Sequence, residues 1–143
     1  MVKLSRVFGL GLVFLAALLG ASGCSKADKP DSAVLQGAWK GQERAGNAAG
    51  SDSLVLSGTN LEFHGADPHE WYKANYTLLE DKNPKQLVAV ITECADPKYV
   101  GKTSYAIYQI QDGTLTIAAH EPGDTNVPTS FDDPQARKVV LKQ

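Results

Sequence analysis

From Gly37 onward, apolar residues recur at every second position in short runs, and each run ends at Gly, Pro, Asn, Asp or Ser. A period of two marks a half-buried strand, and runs spaced this way signal a sandwich or barrel. The pattern predicts eight strands, at about 38–44, 53–57, 60–64, 71–79, 86–93, 103–110, 114–119 and 137–142. With Asp112-Gly113 as a two-residue primed turn, Ile110 pairs with Leu115, Tyr108 with Ile117 and Ala106 with Ala119, all on one face. With Gly58-Thr59 as a second turn, Leu56 pairs with Leu61 and Leu54 with Phe63, while Val55 and Glu62 fall on the other side. A slip of one residue would turn either apolar set outward. In the long fourth strand Tyr72, Ala74, Tyr76 and Leu78 alternate with Lys73, Asn75 and Thr77. Leu87–Ile91 is apolar on both faces, which leaves its orientation open. Antiparallel strands with hairpin-length links predict an all-β fold, an up-and-down eight-stranded barrel whose closure removes exposed edges. The stretch 116–137, with little periodicity, reads as a long loop partly covering one mouth.

The first 31 residues follow other rules. Lys3 and Arg6 precede an apolar run from Val7 to Leu19, and Gly20-Ala21-Ser22-Gly23 leads to Cys24. This is the layout of a secretory signal peptide, and the run is short of the ~20 residues that span a bilayer. Ala21-Ser22-Gly23-Cys24 resembles the bacterial lipobox, although Ala21 stands where Leu is usual. The resemblance implies removal of residues 1–23 and lipidation of Cys24, and two acyl chains are what stable anchoring needs. Ser25 stands where an inner-membrane retention signal would have Asp. The expected location is therefore the bacterial envelope, anchored to a membrane and more to the periplasmic side of the outer one than to the inner. Residues 24–31 read as a flexible tether and 32–143 as the domain, with Ser32 placed to cap a helical turn through Gln36.

Composition narrows the function. The chain has 143 residues, 43% hydrophobic and 21% charged, which suits one globular domain. Lys and Arg number 14 against 16 Asp and Glu, and the leader holds two of the bases, so a nucleic-acid partner is not expected. With Cys24 alkylated, Cys94 has no partner for a disulfide; at the end of an apolar strand it reads as a small buried or half-buried hydrophobe. Gly101-Lys102-Thr103 resembles the end of a P-loop, but Asp96 stands where its first Gly belongs and a strand follows where a helix is needed. His64, Asp67, His69 and Glu70 lie close together, yet their spacing fits no metal site and Asp67-Pro68 marks a turn. His120-Glu121 could join them only through the fold. No Gly-x-Ser-x-Gly elbow occurs, and the acidic residues form no glycosidase pair. Neither catalysis, a cofactor nor a metal is expected.

Leu35-Gln36-Gly37-Ala38-Trp39-Lys40 resembles the Gly-x-Trp opening of the first strand in lipocalins and other calycins. Asn83-Pro84-Lys85, Gly101-Lys102-Thr103, Ile107-Tyr108-Gln109-Ile110 with Asp112-Gly113-Thr114-Leu115, and Val139-Val140-Leu141-Lys142 extend the likeness. Together they resemble a small lipocalin-like domain of unknown function common in planctomycetes and their relatives. The resemblance covers about Leu35 to Lys142 and implies a barrel, with Trp39 closing its floor, but no catalytic residue.

The inward set is expected to be Trp39, Leu54, Leu56, Leu61, Phe63, Tyr72, Tyr76, Tyr108 and Ile117. Trp39, Phe63, Tyr72, Tyr76 and Tyr108 are the candidate lining of a pocket for a small hydrophobic ligand. The expected function is a monomeric, non-catalytic binding module. The alternative is a filled barrel with a structural or inhibitory role, binding an envelope protein or cell-wall polymer through its loops and an outward-facing Trp71.

Overall fold

A computed structural model describes residues 28–42 and 48–143. The leader and Cys24 lie outside the described residues, and so does the end of the first predicted strand. Eight strands run in order: β1 Gly37–Gly41, β2 Ser53–Ser57, β3 Asn60–His64, β4 Trp71–Leu79, β5 Gln86–Cys94, β6 Thr103–Gln111, β7 Thr114–Ala119 and β8 Arg137–Lys142. Each pairs antiparallel with its neighbour, and β8 returns to β1 through Lys40↔Lys142 and Gly41↔Leu141. The chain is an all-β, closed, up-and-down barrel. Among the described residues no helix is long and apolar enough to cross a membrane.

Both hairpins take the register that the alternation requires. Ile110↔Leu115, Tyr108↔Ile117 and Ala106↔Ala119 pair across β6–β7, and Leu56↔Leu61 and Leu54↔Phe63 across β2–β3. Asp112 and Gly113 both have positive φ, 51° and 73°, as a type I′ turn demands. The ambiguous β5 is oriented by its neighbours, with Leu87, Ala89 and Ile91 inside and Val90 43% exposed. A bulge shifts the β4–β5 register between Lys73↔Glu93 and Ala74↔Ile91, so Thr92 is the extra residue and Cys94 comes opposite Tyr72. Cys94 is partly buried against the core, and its Sγ lies 2.9 Å from the Asp96 carbonyl oxygen.

The core cluster runs from Leu35 to Leu141, and closure pairs every strand on both sides. One end is shut by the helical turn α1, Asp31–Val34, and by Leu35, which is 1% exposed. The expected cap at Ser32 is not formed. The turn begins at Asp31 because the Pro30 carbonyl accepts from the amides of Ala33 and Val34, leaving Ser32 inside it and Gln36 beyond it.

Candidate functional site

The aromatic residues divide between the two ends of the barrel. Trp39, Tyr76 and Tyr108 lie at the closed end, 2%, 6% and 1% exposed, and each has spent its polar atom on the segment around α1 and the β2–β3 turn. Trp39 Nε1 donates to Leu35 O at 2.8 Å, and Tyr76 Oη donates to Gly58 O at 3.0 Å while accepting from Gln36 Nε2. Tyr108 Oη donates to Asp31 Oδ2 at 2.8 Å, and Lys85 Nζ reaches the same oxygen at 2.7 Å. Burial would raise the Asp31 carboxyl, but the bonds from Lys85 and Tyr108 outweigh it and hold it below its ordinary value. Burial, then the Asp31 bond, pushes the Tyr108 phenol far upward, so it stays a donor. These three aromatics are a plug.

Above the plug lies a cavity of about 410 Å³ that includes Phe63 and Tyr72 but not Trp39, Tyr76 or Tyr108 among its walls. Size makes the space. Ala74, Ala89, Ala106 and Ala119 point inward from four successive strands, β4 to β7, facing Leu54, Leu61 and Phe63 on β2 and β3. Alternation in sequence fixes which residues point inward; it does not fix their height along the barrel axis, and hence the plug and the cavity share one pattern.

The mouth carries polar residues, several of them continuing the inward phase beyond the apolar set. Asp52 precedes Leu54 by two, Glu70 precedes Tyr72, Ser104 precedes Ala106 and Arg137 precedes Val139. This phase was the available signal for them. The Arg137 guanidinium pairs with Glu70, approaches Asp52 Oδ1 at 3.5 Å and lies 5.2 Å from the Phe63 ring centroid. Asp52 is 3% exposed. His120, 6% exposed, sets Nδ1 2.9 Å from Asn126 O and Nε2 2.9 Å from Asp133 Oδ2. A carbonyl and a carboxylate both accept, so the imidazolium, with two donors, satisfies both. The Asn126 carbonyl raises the His120 pKa against the opposing effect of burial, with Asp133 adding to the rise.

The loop expected at 116–137 is confined to 120–136, because residues 116–119 complete β7 and Arg137 opens β8; it borders the cavity through His120–Pro122 and Gln135, so its ends frame the mouth, while Pro128 in its middle is fully buried. Tyr99 Oη donates to Glu121, tying the β5–β6 link to this segment. His64 bonds to Glu62, the Asp67 side chain accepts from the His69 amide, and Glu70 turns to Arg137. These contacts do not bring the four side chains to one point. Among the described residues no group of three potential metal ligands converges. Trp71 is half-buried and stacked on His64, with ring centroids 6.5 Å apart. Compared with family models, with curated proteins and with solved structures, the chain matches none of them.

Proposed function

We propose that this protein is a lipid-anchored envelope lipoprotein whose barrel is a non-catalytic binding module for a small hydrophobic ligand, and that it belongs with lipocalin-like domains. The observation that carries the ligand reading is the cavity above the plug: its wall of alanines leaves about 410 Å³ beside Leu54, Leu61, Phe63 and Ile117, closed below and bordered by polar groups above. Concave, largely apolar space with a few polar groups at its edge is what small-molecule sites share. The anchor fits the same picture. Residues 28–30 lead into α1 at the closed end, so a lipid on Cys24 would be joined to the barrel at the end opposite the mouth.

The small neutral dye 1-naphthylamine, which lies within the size the cavity admits, tests the site, because its emission changes in apolar surroundings. The expected result is a saturable signal on the barrel, weakened at least fivefold in Ala106→Leu, whose added carbons project into the cavity. A signal that never saturates, or that Ala106→Leu leaves intact, would favour a filled barrel acting through its loops.

A further inference from the structure

We propose that the cavity selects an uncharged apolar ligand of roughly ten to fifteen non-hydrogen atoms, taking water's share of about 30 Å³ as the measure of one atom, and turns away fatty-acid carboxylates. This rests on reading the cavity as a ligand site and names its ligand class.

The body of the ligand must be apolar because the deep walls are hydrocarbon from Leu54, Leu61, Leu87, Ile91 and Ile117. The plug offers nothing polar in return. The Trp39 indole N–H and the Tyr76 and Tyr108 hydroxyls already donate to Leu35, Gly58 and Asp31. A ligand carboxylate would need a cation at the mouth, and the two that border the cavity are engaged. Arg137 serves Glu70 and Asp52, and both ring nitrogens of His120 serve Asn126 and Asp133. A third carboxylate at Arg137 would meet two already there, or displace Glu70 and leave that charge at a half-buried site. Taking a carboxylate out of water without a counter-charge is costly. An ammonium head would meet Arg137 at the mouth, and the acids that border the cavity, Glu70 and Glu121, already accept from Arg137 and from the Tyr99 hydroxyl. A hydroxyl or carbonyl loses far less on entry, and Ser104, Tyr72 and Gln135 border the cavity with groups of that type.

The test is calorimetric titration of the purified protein with 1-decanol, decanoate and decylamine at neutral pH below their aggregation limits. These probes share one apolar body and differ in the head. Decanol is expected to bind at least tenfold more tightly than either ion. Glu70→Gln, which relieves Arg137 of one carboxylate, is expected to improve decanoate at least fivefold relative to decanol. Should that variant not fold, the wild-type ranking decides alone. Decanoate or decylamine binding as tightly as decanol would overturn the ligand class while leaving the cavity a binding site. Binding by none of the three would overturn both.

Discussion

Asp52 sits on the inner wall of the barrel with 3% of its surface exposed, and a carboxylate so placed needs a counter-charge within reach. Arg137, across the mouth on β8, supplies one. Arg137→Met keeps most of the side chain's bulk and removes the charge; it is expected to cost about 2 kcal/mol, in line with hydrogen bonds to charged groups. Urea unfolding of the variant measures this, and an unchanged midpoint would remove the pair from the account. Gly41 is required for a different reason. A Cβ there would lie 2.8 Å from the Asp52 Cβ and 3.1 Å from the Asp52 nitrogen, where β1 passes close to the start of β2. Gly41→Ala is therefore expected to destabilise the barrel by about 1–3 kcal/mol through overpacking, read in the same unfolding experiment. Neither role follows from residue type in the sequence. Arg137 and Asp52 are in phase with inward residues, but their meeting depends on barrel closure across 85 positions.

Segment 120–136 is held partly by one side chain. His120 joins the end of β7 to Asn126 and Asp133, and Asp124 Oδ2 is 3.9 Å from Nδ1. Ser104 and Tyr105 of β6 meet its backbone, through the Ser104 hydroxyl to the His120 carbonyl and the His120 amide to the Tyr105 carbonyl. Because the folded imidazole is raised above its ordinary value of 6.5, the clasp contributes fully below that value and is lost as pH rises through the folded one. Hydrogen exchange across residues 121–136, corrected for intrinsic rates, is expected to show greater protection at about pH 5.5 than at about pH 8.5, on either side of the histidine range. His120→Gln is expected to abolish the difference; equal protection at both pH values in the wild type would contradict the clasp. Strands and hairpin registers were legible because a period of two and a turn between fixed positions determine them locally. The plug was not, because α1 is a single turn whose hold comes from Lys85 and Tyr108, 54 and 77 residues away.

For the molecule as a whole, cavity and filled core make opposite predictions for the same substitution. In a close-packed interior Ala106→Leu would overpack and cost about 1–3 kcal/mol. Where β6 faces open space, the added atoms bury apolar surface without displacing neighbours, so stability is expected to hold or rise while dye binding weakens. The sequence contained the residues that decide this. Inward alanines and inward leucines obey the same alternation, however, and only the closed barrel brings four alanines to the wall of one cavity. That is also why Trp39, Tyr76 and Tyr108, chosen as pocket walls, prove to be the plug, while Phe63 and Tyr72 reach the cavity. Native mass spectrometry of the barrel purified from a cell extract, set against its denatured mass, tests the central claim most directly. The account predicts a discrete added mass that leaves on denaturation and is reduced in Ala106→Leu. The bare chain alone, across several extracts and after exposure to decanol, would contradict it.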